Sequence, residues 1–172
     1  MPSEKNGPRA RVVDPAQAVN RLLSRMQLLC ARREYCTFDI RRKLLYDRNT
    51  PLTPVQAEEV IASLRKDKYL DDARYAGAFA RDKATLSGWG EMKIRHALRA
   101  KSVSDADIDR ALETVDAPSA DARMEKLLRT RWNSLKNDAR AREKMLRYAL
   151  SRGYAYDNAI DLINTLCQTT DN

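Results

Sequence analysis

Two adjacent carboxylates, Asp71 and Asp72 in the stretch YLDDARYAGAFARD, are the residues whose types and spacing could most readily do chemistry. A carboxylate pair can act as general acid and base or bind a hard cation, but either use needs further groups converging from elsewhere in the chain. The same two acids also fit a helix start, with Asp71 as N-cap and Asp72 in the first turn. We predict that they cap a helix, and we predict no catalytic residue.

Other residues with reactive side chains are few. His96, the only histidine, is offset by two residues from the apolar positions of its helix and is predicted to face away from the buried side. The glycines of SGWG, 87–90, lack the spacing and the Lys-Ser/Thr ending of a phosphate-binding loop. Three cysteines, Cys30, Cys36 and Cys167, have no C-x-x-C spacing. Neither a zinc site, a disulfide framework nor a cofactor is indicated.

The composition predicts an all-α protein. Of the 172 residues, 33% are charged and only 6% aromatic, five are glycine, and Ala, Leu, Arg, Lys, Asp and Glu are abundant. The formal net charge of +8 favours a polyanionic partner or an acidic protein surface. No stretch approaches the roughly 18 apolar residues of a membrane span, and the first residues lack a hydrophobic signal core. We expect a monomeric cytoplasmic protein that does not contact membranes.

The chain repeats itself at a spacing of 51 residues. The matching apolar positions are Leu52, Ala57 and Ile61, then Val103, Ile108 and Leu112, then Tyr154, Ala159 and Ile163. Upstream of them, matching pairs lie four residues apart: Ile40 and Leu44, Ile94 and Leu98, and Met145 and Ala149. The first unit carries the extra loop DRNTP, and insertions that fall in loops are typical of structural repeats.

Each unit is predicted to contain three helices. The predicted helices are about 15–34, 37–47 and 53–67, then 71–86, 90–101 and 104–114, then 120–136, 138–152 and 155–167. The predicted domains are a flexible arm at 1–14, three-helix repeats at 15–68, 69–117 and 118–167, and a tail at 168–172.

Helix-capping residues support the predicted starts of the third helices. Thr53 with Gln56 forms a capping box, and Ser104 is a second N-cap candidate. In the third unit the equivalent residue is Ala155, which cannot cap. We therefore expect that helix to start one turn away or to fray.

Cations recur in the second helix of every unit, between the buried positions. They are Arg41, Arg42 and Lys43; Lys93, Arg95, Arg99 and Lys101; and Arg142, Lys144, Arg147 and Arg152. One such helix is an ordinary solvated face. Three in equivalent places predict a basic track that contacts DNA phosphates or an acidic groove of a protein filament.

The central motif resembles the RecX family of regulators of the bacterial recombinase RecA. The resemblance lies in YLDDARYAGAFARDK followed by WGEMKIRHALRAKSVSDADIDRAL, and is extended by YCTFDIRRKL and REKMLRYALSRGYAYDNAI. These segments cover about residues 17–166. Ser102 departs from the family, because a glycine is usual at this turn.

The resemblance implies a curved, elongated array of three tandem three-helix repeats without enzymatic activity. It also implies an inhibitor that binds in the groove of the RecA nucleoprotein filament and lowers ATP hydrolysis, coprotease activity and strand exchange, in recombinational repair and the SOS response. Some members also bind single-stranded or double-stranded DNA.

Two other function classes stay open on the residues. The first is a basic helical module that acts on DNA directly, by backbone contacts rather than base reading, since Asn, Gln and Ser are scarce in the candidate helices. The second is an enzyme, which only the pair of acids suggests.

Overall fold

The structure, a computed structural model, describes residues 14–115, 117–135 and 137–168, and these ranges contain nine helices and no strand. The helices are α1 (Pro15–Arg32), α2 (Thr37–Leu45), α3 (Pro54–Lys66), α4 (Asp72–Ser87), α5 (Glu91–Arg99), α6 (Asp105–Glu113), α7 (Ala117–Asn133), α8 (Ala141–Arg152) and α9 (Tyr156–Gln168). The all-α prediction is confirmed. None of the described helices is both long and apolar enough to cross a membrane.

The helices divide into two compact units. Of the described residues, the first unit contains those up to Arg33 together with Asp39–Leu70, and the second contains Glu34–Phe38 together with those from Asp71 onward. The predicted arm at 1–14 and tail at 168–172 lie, apart from Asp14 and Gln168, outside the described residues. The helix triplets α4–α6 and α7–α9 thus belong to one unit. The predicted division into three repeats, at 15–68, 69–117 and 118–167, stays a prediction.

In the first unit, α1 packs against α3. The buried stripe of α1 is Ala18, Leu22 and Met26, spaced four residues apart on one face. Side chains from α2 and α3 complete the buried set: Ile40, Leu44, Ala57, Val60, Ile61 and Leu64.

The second unit contains two hydrophobic clusters, one for each helix triplet. In the α4–α6 cluster, Ile94, Leu98 and Ile108 are almost fully buried. In the α7–α9 cluster the matching residues Met145, Ala149 and Ala159 are buried. These are the apolar positions that the 51-residue spacing predicted to be core.

The third helices of the triplets start in register. Their first residues are Pro54, Asp105 and Tyr156, which are 51 residues apart. Thr53 forms the predicted capping box, and the Ser104 hydroxyl accepts the Asp107 N–H. The expected shift at Ala155 is wrong, because α9 starts at the equivalent place and the Ala159 N–H donates to the Ala155 carbonyl at 3.1 Å. Packing against the core positions this helix without a side-chain cap.

The turns that follow α5 and α8 are also equivalent. Ser102 has φ +58° and Gly153 has φ +86°, both in the left-handed region that favours glycine. The serine that departs from the family pattern therefore adopts the backbone conformation that a glycine would adopt.

Candidate functional site

The two acids of YLDDARYAGAFARD are helix caps. The Asp71 carboxylate accepts the Arg74 N–H at 2.9 Å and caps α4. The Asp72 carboxylate reaches a different helix, because its two oxygens accept the backbone N–H and the hydroxyl of Thr37, each at 2.7 Å. Thr37 is the first residue of α2, whose first N–H groups have no partner within the helix. No group of three or more His, Cys, Asp or Glu suited to a metal exists in the described residues.

Two of the predicted contact residues, Arg41 and Arg95, are held by acids of the third helix of their own triplet. Arg41 donates to Glu58 from Nε at 2.6 Å and from a terminal nitrogen at 3.1 Å. Arg95 donates to Asp109 at 2.6 Å and to Glu91 at 3.0 Å. Hydrogen bonding from Arg41 holds the pKa of Glu58 below its usual value. Because Arg41 and Arg95 are equivalent positions, part of the cation recurrence is explained by a repeated internal ion pair.

The other predicted cations around α5 have three different kinds of partner. Arg99 donates to Asp105 at 2.7 Å, and this hydrogen bond holds the pKa of Asp105 below its usual value. Lys93 donates to the Ser151 carbonyl at 2.9 Å. The Lys101 ammonium lies 6.0 Å from the centre of a tyrosine ring. His96 is exposed, as predicted.

Three cations of α8 also have polar partners. The pairs are Arg142 with Asn164, Lys144 with Asp138, and Arg147 with Glu143. Hydrogen bonding from Lys144 lowers the pKa of Asp138. Arg42 and Lys43 lie exposed near the end of α2. Many of the predicted contact cations therefore already interact with carboxylates, and the continuous basic track stays a prediction.

Two glycines join the α4–α6 triplet to the α7–α9 triplet by direct backbone contact. The Gly90 N–H donates to the Arg152 carbonyl at 2.8 Å, and the Met92 N–H donates to the Gly153 carbonyl at 3.2 Å. A Cβ on Gly90 would lie 2.6 Å from the Gly153 carbonyl carbon, and one on Gly153 would overlap the Lys93 backbone. Only glycine fits at either position without moving the backbone.

Two side chains of the α7–α9 triplet also form hydrogen bonds with the end of α4. Arg152 donates to the Ser87 carbonyl at 2.8 Å, and the Tyr154 hydroxyl donates to the Gly88 carbonyl at 3.3 Å. Burial raises the pKa of the Tyr154 hydroxyl, so the neutral form persists in alkaline solution. These bonds satisfy carbonyl groups that the end of α4 leaves without helical partners.

A groove of about 960 Å³ lies beside this junction, between the end of α4, α7 and the end of α8. Its cations are Arg123, Lys126, Arg131 and Arg152, and no acidic residue is among the described residues that line it. The Arg131 and Arg152 guanidinium carbons lie 5.6 and 5.1 Å from the centre of the Tyr148 ring. We call these residues, with Trp89, Leu86 and Leu127, the junction groove.

Except for Arg152, the sequence-based prediction missed the cations of the junction groove. The prediction considered cations of second helices, whereas Arg123, Lys126 and Arg131 lie on α7, a first helix. Arg123 and Lys126 are three residues apart and share a face of α7, whereas Arg131 is five residues beyond Lys126 and points in a different direction, so the sequence carried only a weak signal. What the sequence did not indicate is that the end of α8 lies beside them.

Comparison with known proteins identifies the family. The model described as "RecX, second three-helix domain" matches residues 71–112, which include α4, α5 and nearly all of α6. The regulatory protein RecX of Salmonella typhimurium is 30% identical over 151 residues, which cover 84% of this chain and 89% of that protein. The chain belongs to the RecX family.

Two solved structures share the RecX fold. A crystal structure of regulatory protein RecX superposes with a TM-score of 0.75 over 88% of this chain and 73% of that one, at 24% identity. RecX from Lactobacillus salivarius gives a TM-score of 0.75 over 89% of this chain and 99% of that one, at 19% identity. The RecX motif residues that cap α4 and form the α5–α6 pairs lie within the matched family segment.

Proposed function

We propose that this RecX-family chain is a non-enzymatic inhibitor of the RecA recombinase that binds the RecA–DNA filament. The observation that carries the proposal is the alignment with a regulatory protein RecX over 84% of the chain, with the central motif inside the matched family segment. The role is regulation of recombination through RecA, in repair and in the SOS response.

The α5 face is the proposed contact surface. We define it by Lys93, Arg95, Arg99 and Lys101, with the α8 cations Arg142, Lys144, Arg147 and Arg152 extending it. Arg41, Arg42 and Lys43 of α2 are further proposed contacts of the chain. Its ion pairs do not prevent binding. The Arg99 and Asp105 side chains are 55% and 64% exposed, and exposed pairs contribute about 0 to 1 kcal/mol. A filament acid or a DNA phosphate can therefore replace Asp105 as the partner of Arg99 at small cost.

A titration of RecA ATPase activity on single-stranded DNA tests the proposed function. We expect the wild-type chain to lower the steady-state rate of ATP hydrolysis in a concentration-dependent manner and to co-sediment with the filament. An unchanged rate with no co-sedimentation at saturating protein would refute the proposal.

Two double variants with the same charge change locate the surface. Arg95→Gln with Arg99→Gln removes two cations of the α5 face. Arg110→Gln with Arg129→Gln is the control, because both arginines are also exposed and paired, with Asp107 and Glu125. We expect the α5 variant to need at least about tenfold more protein for half-inhibition, and the control to resemble wild type. Equal losses in both would assign the effect to net charge alone.

A further inference from the structure

We propose that Glu34–Phe38, which connects α1 to α2, is a strap that closes over the core of the α4–α6 triplet and opens while that triplet stays folded. We call this segment the strap. Most of α1 and α2 belongs to the first compact unit, whereas the strap belongs to the second. Its partners on α4 belong to the same second unit, so its opening is a property of this chain without RecA.

The closed strap forms part of a hydrophobic core. Cys36 is fully buried in the α4–α6 cluster, and Phe38 packs against the same cluster. Tyr35 and Thr37, on either side of Cys36, are buried as well. Because the strap covers apolar surface of the triplet, its opening exposes that surface and the Cys36 thiol to water.

Two residues of the sequence DDAR at the start of α4 hold the strap. The Asp72 carboxylate accepts the backbone N–H and the hydroxyl of Thr37, each at 2.7 Å. Such charge-assisted hydrogen bonds are stronger than neutral ones. Two residues further along α4, Arg74 donates to Glu34 at 2.7 Å. These two side chains thus hold both ends of the strap, whereas Asp71 caps α4 itself.

The closed strap also has features that favour opening. Its residues 34–36 lie outside any helix, so they can leave the core without breaking one. One oxygen of Glu34, Oε2, is buried and accepts no hydrogen bond from the described residues, which is unfavourable for a carboxylate. The Arg74 and Glu34 side chains are 44% and 32% exposed, so water competes with their ion pair. We therefore expect the strap to open at lower cost than the helices it covers.

Opening has a consequence for α2. Thr37 is the first residue of that helix, and the first N–H groups of a helix have no partner within it. Opening removes the hydrogen bonds from Thr37 to Asp72, and with them this support for the first turn of α2. The strap therefore links the DDAR sequence of α4 to the helix that carries the proposed contacts Arg41, Arg42 and Lys43.

Alkylation of Cys36 by iodoacetamide in the wild-type chain, without RecA, measures the opening. Arg33 and Arg41 flank Cys36, so trypsin places it on a peptide without Cys30 or Cys167, and mass spectrometry follows it alone. We expect its alkylation rate to depend on urea much less steeply than global unfolding does, because the urea slope scales with the surface exposed. A Cys36 rate with the full urea slope of global unfolding, measured by circular dichroism, overturns the proposal.

The bonds of Asp72 are tested by Asp72→Ala, with Asp105→Ala as the matched control. Both acids are the first residue of their helix in the same unit, but Asp105 pairs with Arg99 and not with the strap. In the absence of urea, we expect Asp72→Ala to raise the Cys36 alkylation rate at least about tenfold, because two charge-assisted hydrogen bonds are lost. Asp105→Ala should keep the wild-type rate, and equal increases in the two variants overturn the proposal.

A second pair of variants tests the strap with a smaller change. Arg74→Gln should raise the Cys36 alkylation rate about threefold, because the partly exposed ion pair with Glu34 is lost. Arg81→Gln is the control, since Arg81 is exposed on the same helix and the charge change is the same. Should Asp72→Ala fail to fold, this pair decides, and equal rates in Arg74→Gln and Arg81→Gln contradict the strap. Because RecA is absent, neither result changes the outcome of the ATPase titration.

Discussion

The triplets α4–α6 and α7–α9 have the same helix order but different chemistry at equivalent positions. In the first, Arg95 on α5 pairs with Asp109 on α6. In the second, the equivalent residues are Leu146 and Ile160. An ion pair thus occupies these two equivalent positions in one triplet, and two apolar side chains occupy them in the other. A recurring arginine is therefore not by itself a sign of an external partner.

The cations of the α5 face and those of the junction groove differ in the kind of group that they contact. On the α5 face, Arg95 and Arg99 donate to carboxylates of their own triplet. In the junction groove, Arg131 and Arg152 lie against Tyr148, and Lys126 pairs with no acid of the described residues. The positions of the carboxylates, more than the number of cations, decide which surface has cations without a carboxylate partner that can bind an anionic ligand.

The largest expected change in stability distinguishes a substitution at Gly153 from one at the equivalent turn residue, Ser102. Gly153→Ala should lower the free energy of unfolding by about 3 kcal/mol, because its Cβ would overlap the Lys93 backbone at a positive φ. Ser102→Gly should stay within about 0.5 kcal/mol of wild type, since relief of the left-handed strain is offset by the entropy of glycine. Urea unfolding measures both.

Gly77→Ala is the control for glycine replacement in the same unit. A Cβ there meets only the end of the Arg81 side chain, at 3.3 Å, so the variant should be neutral or gain about 0.5 kcal/mol. A Gly153→Ala protein as stable as Gly77→Ala would show that the triplet junction tolerates a side chain.

A swap of side chains tests whether the two pairs are interchangeable. Arg95→Leu alone should cost about 0.5 to 1 kcal/mol, because Asp109 and Glu91 lose their partner. Arg95→Leu with Asp109→Ile, which installs the residues found in the third triplet, should recover most of that loss. A double variant less stable than the sum of the two single variants would mean that the ion pair is required in α4–α6.

Removing cations should affect stability differently in the two regions. Lys126→Gln with Arg131→Gln should change the free energy of unfolding by only about 0.5 kcal/mol or less, because no described carboxylate loses a partner and only the Arg131 contact with the Tyr148 ring is removed. Arg95→Gln with Arg99→Gln should lower it by up to about 1 kcal/mol, because attractive pairs are lost. A groove variant that is the less stable of the two would contradict the inference that Lys126 and Arg131 have no carboxylate partner among the described residues.

The smallest expected effect is on acid stability. The folded-state pKa values of Asp105 and Glu58 lie below their unfolded values, so their contribution is present above about pH 4 and is lost as the pH falls through the folded pKa. Arg99→Gln should therefore flatten the stability decrease below pH 4. The groove variant Lys126→Gln with Arg131→Gln should keep the wild-type pH dependence.

Much of the fold follows from local patterns. The 51-residue spacing places the third helices at Pro54, Asp105 and Tyr156 in register, and the Thr53 and Ser104 caps form as predicted. The prediction for the helix start at Ala155 was wrong. The missing capping hydrogen bond costs little stability compared with what the burial of Ala159 and Ile163 contributes. Local capping rules predict the first residue of a helix well only where core packing does not override them.

The site was less predictable because it depends on pairs distant in sequence. Asp72 lies in the first turn of its helix, as predicted, but the prediction missed that its carboxylate also binds Thr37, 35 residues away. Likewise, the cations of α5 and α8 were visible as charges, but their partners on α6 and α9 were not. The 51-residue spacing shows which residues occupy equivalent positions on a helix face. It does not show which acid lies opposite those residues in the folded chain.

The sequence by itself determined the helices, their order, the buried positions and the RecX family, because spacing, caps and motif residues are local properties of the chain. The tertiary structure alone decided which cations are engaged with acids and which line the junction groove. The junction groove depends on the Gly90–Gly153 contact, since only the close approach of two backbones brings the ends of α4 and α8 together beside α7. The ion pairs depend on the packing of the second and third helices within each triplet.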